Sequence, residues 1–204
     1  MKLYLEILKQ EDLTQEERTY YLEKLEMQEE KLEFFMESLV KMSRLESEVL
    51  TLHMDDRAVS ATLGKAVAAI VPKAQKKQIS IYVDCEESIR LYHDAKWTEE
   101  AIFNLLDNAV KYTEPKGKIR ISVKEQEIYT KISVCDTGKG IEQSRQAEIF
   151  QRFYREPEVY QEEGIGIGLY LARKIITMQN GYMEVHSEPG KGSEFQIYLP
   201  REEL

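Results

Sequence analysis

The chain has 204 residues, 42% of them hydrophobic and 32% charged, the profile of a soluble globular protein of one to two domains. Its net charge of −9 argues against a nucleic-acid footprint, and no run approaches the roughly 18 consecutive apolar residues of a membrane span. No secretory h-region opens the chain, and two cysteines cannot build a disulfide framework, so a reducing, cytoplasmic compartment is expected.

The charge is unevenly placed. Residues 1–50 carry 7 Lys/Arg against 13 Asp/Glu, and contain no Gly or Pro to break a helix. Leu3, Leu5 and Leu8 read as the tail of one helix, turned by Glu11, Asp12 and Leu13. Thr14 with Glu17 fits a capping box, which starts a long helix just after Thr14. Tyr21, Leu25, Leu32, Phe35, Leu39, Met42 and Leu45 form its apolar stripe. So narrow a stripe on so polar a hairpin needs a partner, either a second copy in a bundle or the rest of the chain.

From residue 51 strands and helices alternate. Strands are expected at 79–85, 118–124, 129–136, 182–187 and 193–199, and helices at 59–76, 98–112, 143–150 and 168–178. Strands fall in adjacent pairs, so the pattern is not simple βαβ repetition. The expected fold class is α+β, with a mixed sheet carrying helices on one face, preceded by the helical hairpin.

Three stretches could carry chemistry. In 97–112, Thr98 can cap a helix whose buried face is Ile102, Leu105, Leu106 and Ala109. Asn104, Asn108 and Lys111 then fall on one polar line at i, i+4 and i+7. Asparagine is a mediocre helix former, and carboxamide oxygens beside a lysine suit Mg²⁺ and phosphate, although a solvated helix face reads the same way. In 132–141 a strand delivers Asp136 into a turn containing Gly138 and Gly140, where a carboxylate can accept from an exocyclic amine such as that of adenine. In 164–169, Gly-Ile-Gly-Ile-Gly-Leu precedes a helix whose terminal amides can meet phosphate. It is neither a P-loop nor a Rossmann spacing.

Together these stretches resemble the N, G1 and G2 boxes of the sensor histidine kinases, within the gyrase, Hsp90, histidine kinase and MutL ATPase superfamily. The resemblance implies a Bergerat-type α/β sandwich over 51–204 that binds ATP with Mg²⁺. It also implies that 1–50 is the end of a dimerisation and phosphotransfer hairpin, giving a homodimer and, in the parent, a response-regulator partner. By that resemblance, Asn108 coordinates Mg²⁺ bridging the phosphates, Asn104 supports that catalytic site, and Lys111 binds phosphate. Tyr112 flanks the adenine, Asp136 receives its amino group, and Gly138 and Gly140 shape that wall. Gly166 and Gly168 hinge a lid, Leu169 completes the nucleotide-binding set, and Ser193 belongs to the last glycine-rich motif behind the base. In 148–155, resembling the F box, Phe150 and Phe153 are expected in lid and core packing. Arg155, and after it Arg152, are expected as lid cations, and 156–163 should be mobile without nucleotide.

The chain departs from the family in its histidines. The family's phosphoacceptor is followed by an acidic residue and soon by a proline; His53, His93 and His186 do not match. The expectation is a truncated kinase from a membrane-anchored parent, cut after its acceptor, that binds Mg-ATP without phosphorylating itself. A serine kinase of the anti-sigma type, a gyrase-like ATPase and an inert interaction module are the rival readings. The gyrase-like class carries a Glu base where Asn104 stands, and the anti-sigma type has no need of the hairpin.

Overall fold

The computed structural model describes residues 2–10, 12–46, 51–155 and 166–201, in two compact units, Met1–Glu48 and Val49–Leu204. The first unit contains α1 (Lys2–Leu8) and α2 (Gln15–Glu46). The capping box is formed: the Glu17 N–H donates to Thr14 Oγ1 at 3.2 Å, and the Thr14 N–H donates to Glu17 Oε2 at 2.9 Å. Tyr4 of α1 meets Tyr21 of α2, ring centroids 6.0 Å apart. Leu32 departs from the expected stripe by standing exposed, and Leu3, Leu5 and Met36, outside the stripe, are exposed as well. Glu11, expected in the turn, lies outside the described residues.

The second unit runs β1 (Asp55–Ala58), α3 (Val59–Lys76), β2 (Ser80–Asp84), β3 (Arg90–His93), α4 (Ala95–Tyr112), β4 (Lys118–Glu125) and β5 (Tyr129–Asp136). Two 3-10 turns (Gln143–Arg145 and Glu148–Phe150), α5 (Gly168–Met178), β6 (Tyr182–Glu188) and β7 (Gly192–Pro200) complete it. Five strands form one mixed sheet in the order β2-β4-β5-β7-β6, with β2 parallel to β4 and the other neighbours antiparallel. The strand period of two explains the layering. Ile119 and Ile121, Ile132 and Val134, and Phe195 and Ile197 are buried on the side packed by the apolar faces of α3, α4 and α5. Arg120, Lys131, Glu194 and Glu184 alternate with them onto the other face. The expected α+β architecture, a mixed sheet with helices on one face, is the one observed.

Three local expectations are corrected. β1 and β3 pair antiparallel in a separate two-stranded sheet that was not anticipated, because Asp-Asp-Arg-Ala carries no apolar alternation. Residues 143–150 form two single 3-10 turns rather than a helix. Gln146 Nε2 donates to the Ile141 and Ser187 carbonyls at 3.2 and 2.8 Å, so the segment is tied down across to β6. The helix expected from 98 begins at Ala95, because the cap is Asp94, whose Oδ1 accepts from the Trp97 N–H at 3.0 Å. Thr98 lies inside the first turn, and its hydroxyl hydrogen-bonds Gln179 at the far end of α5. That bond fixes α4, the helix bearing the candidate polar line, against its neighbour.

His93 is part of this scaffold. It is fully buried, with Nδ1 2.8 Å from the Leu91 carbonyl and Nε2 2.8 Å from Thr62 Oγ1. A carbonyl only accepts, so Nδ1 carries a proton, and in the neutral ring Nε2 then accepts from Thr62. Burial holds the imidazole below its ordinary pKa, which favours this neutral form. His53 and His186 are exposed, on the segment before β1 and on β6.

Candidate functional site

The site is assembled where α4 ends, where β5 delivers its last residue and where the β6–β7 hairpin turns back. Asp136 is the last residue of β5, paired with Ile119 of β4 and Ser193 of β7, and is only 5% exposed. Burial raises its pKa, while the backbone N–H groups of Gly138 and Ser193 hydrogen-bond the carboxylate and oppose that rise. The Gly138 N–H reaches Asp136 Oδ1 at 2.7 Å.

Glycine is required around this carboxylate by close backbone approach. A Cβ on Gly138 would meet the Tyr112 carbonyl, and one on Gly140 (φ +72°) would be driven into the Glu188 carbonyl. One on Gly192 (φ +95°) would be driven into the carbonyl of Asp136 itself. The loop after β5 is thereby seated on both the end of α4 and the β6–β7 hairpin. Ser187 fastens the hairpin side: its hydroxyl donates to the Gly192 carbonyl at 2.8 Å, accepts from the Ile141 N–H at 2.8 Å and lies 3.0 Å from Ser193 Oγ.

The expected polar line on α4 divides. Asn108, Lys111 and Tyr112 are half-buried, but Asn104 is only 8% exposed and turns back along its own helix. Its Nδ2 donates to the Glu100 carbonyl at 2.7 Å and to Glu100 Oε1 at 3.3 Å. Its Oδ1 would stand 2.8 Å from a Cβ on Gly168, the first residue of α5. A side chain at Gly168 would thus press on the Asn104 carboxamide where α5 begins against α4, a packing contact distinct from the expected hinge. At Gly166 (φ +75°) a Cβ would collide with the Tyr154 carbonyl, and its own carbonyl accepts from the Phe153 N–H at 2.9 Å. These contacts hold Gly166 against Phe153 and Tyr154. Gly164 and the expected mobile stretch 156–163 lie outside the described residues.

Leu169, in the first turn of α5, and Arg155 are half-buried, and Ser193 is buried beside Asp136. Phe150 packs as expected, edge-on to Phe195 with centroids 6.4 Å apart. Phe153 does not: it is 48% exposed at φ +63°, with the Arg152 guanidinium 5.0 Å from its ring. Cys85 and Cys135 are free thiols whose pKa values are raised by burial and then by neighbouring carboxylates, unlike reactive thiolates.

Several participants escaped sequence reasoning. Lys139 Nζ lies 5.2 Å from the Tyr112 ring centroid and Lys111 Nζ 4.7 Å, so two cations gather at one tyrosine. Lys139 stands visibly between two glycines, but its direction follows only from the seating of the loop. Ser187, Gln146 and Lys77 carry no local signal of their roles. The arrangement can accept an amine at a buried carboxylate and meet negative charge at a lysine-flanked helix end. Among the described residues no three His, Cys, Asp or Glu side chains cluster to hold a metal ion by themselves.

A family model described as histidine kinase-, DNA gyrase B-, and HSP90-like ATPase matches residues 93–203. The adaptive-response sensory kinase SasA of Synechococcus sp. (strain JA-3-3Ab) is 31% identical over 172 residues, covering 83% of this chain and 46% of that protein. The circadian input-output histidine kinase CikA of Synechococcus elongatus (strain ATCC 33912 / PCC 7942 / FACHB-805) is 28% identical over 197 residues, 94% of this chain and 26% of that protein. This chain thus spans less than half the length of either relative. Among solved structures, the Acinetobacter baumannii histidine kinase AdeS matches the fold with TM-score 0.77 at 20% identity, over 99% of this chain and 93% of that one. Full-length ShkA in complex with AMPPNP matches it with TM-score 0.77 at 24% identity, over 95% of this chain and 40% of that one.

Proposed function

The chain belongs to the histidine kinase-, DNA gyrase B- and HSP90-like ATPase family, and from this premise we propose that it is the ATP-binding kinase core of a two-component sensor histidine kinase. The observation that carries the reading is the buried Asp136 carboxylate, seated by glycines that pack so closely on backbone that a Cβ would collide there. A planar base carrying an exocyclic amine fits it: Asp136 accepts from the amine, Tyr112 flanks the ring, and Gly138, Gly140 and Ser193 form the walls. Asn108 and Lys111 extend from there along α4 towards the phosphates, and Arg155 with the Gly166–Gly168–Leu169 turn covers them. Asn104, bonded to Glu100 and packed at Gly168, keeps the start of α5 beside that line.

Mg²⁺ bound with ATP offsets the phosphate charge that an acidic protein would otherwise repel. By the family resemblance Asn108 is the side chain that would hold Mg²⁺, its carboxamide oxygen suiting a hard cation. The kinase core positions the γ-phosphoryl group for in-line transfer to a histidine and then to a response-regulator aspartate. The hairpin of 1–50 is the end of the dimerisation and phosphotransfer element of this cytoplasmic assembly, without its acceptor histidine, and pairs with a second copy. No described helix is long and apolar enough to cross a membrane.

None of this chain's own histidines serves as acceptor, His93 least of all, with both ring nitrogens engaged in the core. Incubated alone with labelled ATP, the chain is expected to acquire no acid-labile, base-stable phosphate; its appearance would overturn this assignment. The nucleotide site is tested by calorimetric titration with ATP, with and without Mg²⁺, on the natural chain and on Asn108→Asp. A carboxylate there adds negative charge at the phosphates, so binding without Mg²⁺ should weaken on the order of tenfold and recover in part when Mg²⁺ is added. Saturable binding with an unchanged metal dependence in Asn108→Asp would remove Asn108 from the metal site. No binding by the natural chain at millimolar ATP would leave a kinase fold without its nucleotide.

A further inference from the structure

We propose that Lys77, which touches none of the residues assigned to the nucleotide except through main-chain carbonyls, is a positioning residue for the phosphate end of the site; this rests on the nucleotide reading above. The last turn of a helix leaves carbonyls without intrahelical partners, and here their partners can be traced one by one. The Ala109 carbonyl accepts from the Thr113 N–H at 3.1 Å. Those of Val110, Lys111 and Thr113 all accept from Lys77 Nζ, at 3.0, 2.7 and 3.2 Å. That of Tyr112 accepts from the Lys139 N–H at 3.4 Å. One ammonium with three protons thus serves three carbonyls, at the helix end where a cation also meets the macrodipole favourably.

Lys77 is itself held rigidly. It closes α3, its N–H donating to the Ala74 carbonyl at 3.1 Å, and its own carbonyl accepts from the Lys116 N–H at 3.0 Å. The chain then turns through Gln78 at φ +57° and returns the Ile79 N–H to Ala74 at 2.9 Å, a Schellman-type ending that aims the corner at α4. The turn so gripped carries Lys111, whereas the Tyr112 carbonyl on the adenine side has its own partner in the Lys139 N–H rather than in Lys77. Without the ammonium, three carbonyls turn to water and the turn frays. If the competent fraction drops to about one fifth, the apparent affinity drops about fivefold.

The test is a double-mutant cycle read by ATP titration: the natural chain, Lys77→Met, Lys111→Ala and the pair together. Lys77→Met should weaken ATP binding about fivefold and adenosine binding by less than about twofold. The double variant should bind ATP as Lys111→Ala does, because Lys77 acts through the turn that presents Lys111. Losses that multiply in the double variant, an equal loss for adenosine, or an unchanged affinity in Lys77→Met would each overturn the proposal. Should Lys77→Met fail to fold, Lys77→Gln, which keeps a neutral donor, takes its place in the same cycle. The natural chain separates the two levels: if it binds no ATP, the nucleotide reading fails, and this assignment with it.

Discussion

Asp136→Asn should abolish measurable ATP binding while leaving the fold as stable as before, or more so. A charged hydrogen bond contributes about 1.5–3 kcal/mol, and asparagine would oppose an amine donor with its own NH₂, so a loss of at least thirtyfold is expected. The stability sign is the reverse of the usual carboxylate. Burial raises the Asp136 pKa in the fold, so its favourable contribution is complete only below the unfolded carboxyl pKa and is lost as pH rises through the folded value. At neutral pH the buried charge therefore costs stability, and removing it should leave Tm unchanged or raise it by up to about 3 °C. For the same reason ATP binding by the natural chain should weaken on acidification towards that raised pKa. Calorimetry with a thermal melt decides it: retention of ATP affinity within threefold would take Asp136 out of base recognition, and a lower Tm would refute the argument from burial.

Gly192→Ala should cost about 3 kcal/mol or more in urea denaturation, and nucleotide binding with it, whereas Gly190→Ala should cost about 1 kcal/mol. Both glycines sit in the same hairpin with positive φ, +95° and +78°. They differ in what a methyl would meet: open space at Gly190, and the Asp136 carbonyl at Gly192. The pair therefore separates the left-handed conformation from the close approach that seats the carboxylate. Equal destabilisation would show that the turn, not the packing against Asp136, is what requires glycine.

These two experiments address features of different legibility. Asp136 was readable because an acidic residue ending an apolar strand before two glycines is a local pattern. Gly192 was readable only as a turn residue; that its missing side chain makes room for Asp136 depends on the pairing of β5 with β7, more than 50 positions apart in the chain. The long strands and helices were legible from their periodicity, and the Thr14–Glu17 box from its spacing. β1 and β3 were not, since four residues such as Asp-Asp-Arg-Ala or Arg-Leu-Tyr-His are too short to show a period, and the start of α4 is set by Asp94 although Thr98 is also a good cap. Only Gln179, brought in by α5, draws Thr98 inwards and leaves the cap to Asp94.

The identities along the chain determined by themselves the α+β class, the order of the three glycine- and asparagine-bearing stretches, and the absence of a histidine in the family's acceptor pattern. Each depends on neighbours within one or two turns, where side-chain chemistry and backbone periodicity act directly. Tertiary structure alone decided that Asp136 is buried and its pKa raised, that Asn104 faces Gly168 at the start of α5, and that Lys77 closes the end of α4. Burial, close approach and the capping of carbonyls are contacts between segments distant in the chain, and their strength is set by geometry that no local pattern encodes.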